Sequence, residues 1–152
     1  MIVTRPLRVG VVGVGAMGAN HARVYSRISG VELVGVVDRD VSVVARVAAS
    51  YACVPFARMR ELLDTGVHAV SIAAPTSLHA EAALEAMACG VHVLVEKPMA
   101  ESVEQAERIA RAADESGVRL VVGHIERFNP AVQRLKACVD EGLLGDVISM
   151  SA

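Results

Sequence analysis

The sequence predicts an α/β domain built on a doubly wound parallel sheet with helices on both faces. Two observations carry that expectation. Short runs of Val, Ile and Leu alternate with Ala-rich amphipathic segments along the chain, the order that produces strand–helix crossovers. The apolar runs are also near-continuous rather than broken by every second residue, as strands buried on both faces require. The 152 residues amount to one ordinary domain. A chain of that size buries about 68–70% of the surface it exposes when unfolded, enough for a real core.

Each element follows in order. LRVGVVGVG (7–15) reads as a strand running into a glycine-rich turn, and 16–29 as a helix stopped by Gly30. VELVGVVD (31–38) is the second strand and 41–51 the second helix. A weak strand near ACVPF and a short helix near 57–64 come next. GVHAVSIAAP (66–75) is the fourth strand, followed by a helix over 76–90 with Thr76 or Ser77 as its N-cap and Gly90 as its end. VHVLVE (91–96) is the fifth strand. Ser102 and Gln105 are spaced as a capping box that opens a helix over 103–116, with Gly117 ending it. VRLVVG (118–123) is the sixth strand, and the residues after it form a loop. Right-handed crossovers would bring every strand's C-terminal end to one edge of the sheet, where ligands bind at the point the strand order reverses.

Composition removes several classes of function. A net charge of −2 without a basic patch argues against nucleic acid. The apolar stretches fall short of the ~20 residues of a membrane span, and the N-terminus has no signal-peptide core. Cys53, Cys89 and Cys138 are odd in number, widely spaced and without a C-x-x-C pair, as suits free thiols in the cytoplasm. The five histidines fall at no ligand spacing, so no metal is expected. There is no G-x-S-x-G elbow and no phosphate loop of the G-x-x-x-x-G-K-[ST] type. Hydrophobic residues make up 53% and mean hydropathy is +0.45, so part of the surface is expected to meet another domain or a second copy of the chain.

The chemistry starts at Gly13-Val14-Gly15-Ala16-Met17-Gly18, a G-x-G-x-x-G. The motif alone is weak. Here it follows a strand, opens a helix and precedes a second strand that ends in Asp38, twenty residues after Gly18. Gly13 would allow the tight turn, Gly15 the close approach of a diphosphate to the backbone, and Gly18 the packing of helix on sheet. The helix N-terminus, at Ala16 and Met17, would offer unpaired N–H groups to the phosphates. Asp38 would accept hydrogen bonds from the adenosine ribose and repel a 2′-phosphate, favouring NAD. Arg39 beside it could stack on adenine or pair with a phosphate, so NADP stays open. A methyltransferase or a flavoprotein could use a similar first half.

Three further segments leave the sheet on the same edge: AAPTSLH (73–79), EKPMA (96–100) and GHIERFNP (123–130). Together with the glycine motif, P-T-x-x-H, E-K-P and G-H-x-x-R-F-N-P resemble the Gfo/Idh/MocA family of sugar and inositol dehydrogenases. The resemblance covers essentially the whole chain. The segment VGHIERFNPAV further resembles the branch acting on UDP-linked N-acetylamino sugars. The resemblance implies a Rossmann domain and a hydride transfer from a secondary alcohol of a sugar or nucleotide sugar to the nicotinamide. It casts Lys97 as the catalytic residue, beside the nicotinamide and the substrate hydroxyl. Glu96 would orient Lys97 or meet the cofactor's ribose. Ala74, Pro75, Thr76 and His79 would line the nicotinamide side, with His79 more structural than chemical. His124, Arg127 and Asn129 would reach the substrate, and His124 could equally be a satisfied buried histidine. The Lys97–Pro98 bond could be cis.

Family members carry a second, α+β domain with a large open sheet that completes the substrate pocket. Residues 1–145 are then the dinucleotide-binding domain, and 146–152 the start of a second domain that is truncated here. The chain by itself is expected to bind a dinucleotide with weak or no turnover. A non-catalytic NAD-binding sensor or interaction module is the alternative; it has no need of E-K-P.

Overall fold

A computed structural model describes residues 5–150. Residues 1–4, and the last two of the 146–152 segment, lie outside the described residues.

Six parallel strands form one sheet: β1 (Leu7–Val12), β2 (Val31–Val37), β3 (Val54–Phe56), β4 (Ala69–Ile72), β5 (His92–Val95) and β6 (Leu120–Val122). Their spatial order is β3-β2-β1-β4-β5-β6. The order reverses between β1 and β4, so the C-terminal ends of those two strands flank the crevice of a doubly wound sheet. The expected fold class is what forms.

Two apolar layers hold the sheet. On one face, Ala22 of α1 (Ala16–Tyr25) and Val44, Val47 and Ala48 of α2 (Val41–Tyr51) pack with Val9, Val11, Leu33 and Val36. On the other, Met59, Leu62 and Leu63 of α3 (Met59–Leu63), Ala83, Ala86 and Met87 of α4 (His79–Ala88), and Ile109 and Ala113 of α5 (Val103–Ser116) pack with Val12, Val70, Ile72, Val93 and Val95. β2 does not alternate strictly, since Leu33 and Val36 share one layer and Val34 and Val37 the other. The cause is a register shift: Val9 pairs with Leu33, but Gly10 with Gly35, leaving one extra residue on β2.

Caps set the helix ends where the sequence carries them. Asp40 caps α2 by accepting from the amides of Ser42 and Val43. Ser102 caps α5 by accepting from Gln105 N–H at 3.3 Å, and Gly117 ends it in the left-handed conformation. The reciprocal bond of the capping box is displaced by one residue, because Gln105 Oε1 takes the amide of Glu101.

The structure departs from expectation in several places, the first being that α1 ends at Tyr25, with Ser26 as its C-cap, short of residue 29 and Gly30. The helix expected over 76–90 is a 3-10 turn, Thr76–Leu78, followed by α4 from His79. Thr76 and Ser77 lie inside that turn, where Leu78 N–H donates to Pro75 O, so neither caps a helix with its side chain. Strands are shorter than their apolar runs: Val14 and Val67 are buried outside the ladder, because a helix or loop covers them without strand pairing. The expected loop after β6 contains a 3-10 turn, Ile125–Phe128, and then α6 (Pro130–Asp140), capped by Asn129.

Candidate functional site

The turn after β1 is built by exclusion. Gly13 has φ +81°, and a Cβ there would stand 2.5 Å from the backbone nitrogen of Ala74. Gly18 is buried in α1, and a Cβ on it would overlap the carbonyl oxygen of Gly13. Only glycine allows helix, turn and β4 to meet this closely. Gly15 differs. It is the N-cap of α1, no side chain caps the helix there, and a Cβ on it would meet nothing within 4 Å. Ala16 and Met17 begin the helix at the surface. An uncapped helix start facing open space offers free amides and the positive dipole end to an anion.

Asp38 ends β2 half-buried, and its carboxylate faces two ways. Oδ2 accepts from Val14 N–H at 2.8 Å, and Oδ1 from Asp40 N–H at 3.0 Å. The acid therefore holds the glycine turn as well as presenting its remaining lone pairs outward. It opens on a cleft of about 470 Å³ shared with Gly13, Arg39, Arg58, Ala74 and Pro75. Arg58 is held on one side by Glu61, at 2.8 and 2.9 Å. That pairing keeps the Glu61 carboxyl below its ordinary range. The cleft is thus formed by the turns after β1, β2, β3 and β4. Ala74 and Pro75 share it with Asp38, while Thr76 is not among its lining residues.

His79 is buried, with only 1% of its surface exposed. Nδ1 faces Pro98 O at 2.9 Å and Nε2 faces Ala74 O at 2.8 Å. It ties the turn after β4 to the turn after β5, a structural part. The Lys97–Pro98 bond is cis.

Glu96 and Lys97 leave β5 side by side and go opposite ways. Glu96 turns inward, 6% exposed. Its Oε1 lies 3.0 Å from His21 Nε2 on α1, and its Oε2 accepts Lys97's own amide at 3.2 Å. Gly123, at the end of β6, leaves room for this carboxylate; a Cβ there would stand 2.8 Å from Oε1. Lys97 is exposed, and among the described residues its ammonium forms no ion pair within 4.0 Å.

His124, Arg127 and Asn129 are all exposed on the segment beyond β6. His124 is therefore not a buried histidine. Asn129 spends its side chain on structure, since Oδ1 caps α6 at Ala131 N–H and Nδ2 donates to Glu126. The structure thus gathers Gly13, Asp38, Arg39, Ala74 and Pro75 around one cleft, and sets Glu96 and Lys97 two strands away on the same edge. Sequence reasoning missed Arg58 and His21. His21 lies three residues after Gly18 and four before Tyr25, on one helical stripe; that spacing was its only signal.

Comparison with known proteins places this geometry. A model of an oxidoreductase family with an NAD-binding Rossmann fold matches residues 7–124. The UDP-N-acetylglucosamine 3-dehydrogenase of Acidithiobacillus ferrooxidans is 43% identical over 130 residues, 86% of this chain and 41% of that protein. Its solved structure superposes with a TM-score of 0.80 at 42% identity, over 86% of this chain and 42% of that one. Inositol 2-dehydrogenase 4 of Saccharopolyspora erythraea is 39% identical over 96% of this chain and 44% of its own. The WlbA dehydrogenase of Bordetella pertussis, solved with NADH and UDP-GlcNAcA, gives a TM-score of 0.86 at 34% identity over 93% of this chain and 44% of that one. The chain spans about two fifths of the length of the curated relatives it matches.

Proposed function

Because the chain belongs to the Gfo/Idh/MocA family of oxidoreductases, through its NAD-binding Rossmann domain, we propose that it is the cofactor-holding part of an NAD-dependent dehydrogenase acting on a secondary alcohol of a sugar. The observation that carries this reading is the shared sheet edge. An uncapped helix start with open space at Gly15, the Asp38 carboxylate and Lys97, whose ammonium forms no ion pair among the described residues, all stand on it. The residues fit the cofactor. Amides at 15–18 would hold the diphosphate, Asp38 the adenosine ribose, Arg39 the adenine side, and Ala74 and Pro75 the rim, with Glu96 and Lys97 at the nicotinamide end.

When bound, NAD supplies the acceptor for the hydride that leaves the alcohol carbon. Lys97 does the polar half of the work. Its Nζ–H donates to the alcohol oxygen and stabilises the negative charge that grows there as the hydroxyl proton passes to water, which reaches Lys97 at the surface. Gly13 and Gly18 keep the turn tight, and Asp38 disfavours a 2′-phosphate by like charge. A nucleotide sugar is the substrate class best supported, because a UDP-sugar features in the names of two of the relatives above. His124 and Arg127, exposed beyond β6, are the groups that would meet its hydroxyls and diphosphate. Three free thiols support a cytoplasmic setting.

The test is a calorimetric titration of NAD, NADP and S-adenosylmethionine, followed by Lys97→Ala in an enzyme that turns over. NAD should bind tightest, and the substitution should cut turnover while leaving NAD affinity nearly unchanged. Binding of S-adenosylmethionine in place of NAD would overturn the reading. Turnover that survives Lys97→Ala would refute the role of Lys97, and NAD binding without any sugar oxidation would favour a cofactor-sensing module instead.

A further inference from the structure

His21 is the one histidine that joins the helix of the glycine turn to the strand end that carries Lys97. It lies in the second turn of α1, and its Nε2 meets Glu96 Oε1 at 3.0 Å. The two side chains are 14% and 9% exposed. A carboxylate oxygen only accepts, so Nε2 is the ring nitrogen that carries the proton in this pair. Glu96 has no slack. Its second oxygen holds Lys97 N–H, and Gly123 sits against the carboxylate with no space for another atom. His21 in turn is kept in place by Tyr25, whose ring meets it edge-on at 6.4 Å and whose hydroxyl bonds buried Ser71 of β4 at 2.6 Å. A chain of contacts thus runs from α1 to the backbone of Lys97.

We infer that His21 is a positioning residue: it clamps Glu96, and Glu96 fixes the strand end from which Lys97 is presented. The functional weight of this inference rests on the proposed role of Lys97, but the geometry does not. Without the imidazole N–H, Oε1 is left buried without its donor, and the carboxylate must swing out to find another. The next residue carries a candidate partner, the exposed ammonium of Lys97, which forms no ion pair among the described residues.

The chain offers a direct readout, because it has only two lysines, Lys97 and Lys136. Lys136 lies on α6 and pairs with Asp140 at 2.7 Å, remote from α1 in sequence, so it serves as an internal standard. Acylation of both by an amine-selective reagent, read by mass spectrometry, is compared in wild type, His21→Phe, His21→Gln and His21→Asn. Phe keeps the ring and its packing on Tyr25 but has no N–H. The Lys97 rate relative to Lys136 should fall about two- to fivefold in His21→Phe, the reach of a partly exposed ion pair. Gln, whose amide N–H extends as far as Nε2, should restore the wild-type ratio, whereas the shorter Asn should not. A wild-type ratio in folded His21→Phe overturns the inference. If His21→Phe does not fold, wild-type ratios in His21→Asn, or equal failure of Gln and Asn, overturn it in the same way. Protection of wild-type Lys97 by saturating NAD tests the functional reading separately; its failure would remove the role of Lys97 and leave the clamp standing.

Discussion

Two glycines two residues apart should respond to alanine in opposite ways. At Gly13 the methyl group meets a left-handed backbone, φ +81°, and the backbone of β4's exit, with Ala74 N at 2.5 Å, Ala74 Cα at 2.6 Å and Ala73 C at 2.8 Å. The conformation costs about 1–2 kcal/mol. Forcing atoms into a packed site costs about 1–3 kcal/mol more, and here the neighbours are backbone and cannot rotate away. Gly13→Ala should therefore lose about 2–5 kcal/mol. At about 2–4 °C per kcal/mol for a domain of this size, its melting temperature should drop by about 4–20 °C. Gly15 has an ordinary φ of −62° and nothing within 4 Å of its would-be Cβ. Gly15→Ala should change stability by about 1 kcal/mol or less. Its methyl group instead occupies the space in front of the α1 amides. Losing one hydrogen bond to a charged group, about 1.5–3 kcal/mol, should weaken NAD binding roughly tenfold to a hundredfold. Thermal unfolding by circular dichroism and calorimetric titration with NAD separate the two effects. A Gly15→Ala protein that titrates like wild type would place the diphosphate elsewhere. A Gly13→Ala protein that melts with wild type would mean the turn does not touch β4 as described.

Three further outcomes follow from particular groups. His79 faces two buried carbonyl oxygens, so His79→Leu leaves at least one of them without a donor and should cost about 1–3 kcal/mol, read as a lower urea midpoint; an unchanged midpoint would refute the tie between the two turns. Burial pushes the Cys53 thiol up to about 11, so it holds little thiolate at pH 8 and should react with iodoacetamide more slowly than exposed Cys89; equal labelling would contradict its burial. The Ser42 hydroxyl, with the amides of Val43 and Ser42, holds the Asp40 carboxyl below its ordinary 3.8. That depressed value adds stability above the unfolded pKa and loses it as pH falls through the folded one. The stability gap between wild type and Asp40→Asn should therefore be flat near neutral pH and close in acid; a gap independent of pH from 7 to 3 would refute the cap's charge.

What the sequence could show was local. α2 and α5 lie over 41–51 and 103–116 as read, because an apolar stripe, and for α5 a serine before it and a glycine after it, sit within one helix's length. Strand ends were read too long because burial and ladder pairing are different properties: Val14 and Val67 are as buried as strand residues without belonging to one. α6 was legible and overlooked, since Asn129 followed by Pro130 is a start signal, a cap before a residue that needs no N–H. The glycine turn and Asp38 were found because their spacing is fixed by one βαβ unit. The Asp38–Val14 bond, the Arg58 wall and the His21–Glu96 clamp were not found, because each joins residues far apart in the chain or turns on which way a side chain points. Nothing in the neighbourhood of residue 21 encodes residue 96.

The strand order has a consequence for how the molecule is made. β1 is synthesised first yet sits in the middle, with Val9 paired to Leu33 on one side and to Ala69 on the other. On a ribosome, the growing chain must therefore carry a bare central edge until the fourth strand emerges, and pairings that span so many residues close slowly. Ala74, which walls the glycine turn, arrives later still. The nascent first half is thus a sticky intermediate with no cofactor to steady it, and slowing translation before residue 69 should lengthen its dependence on chaperones.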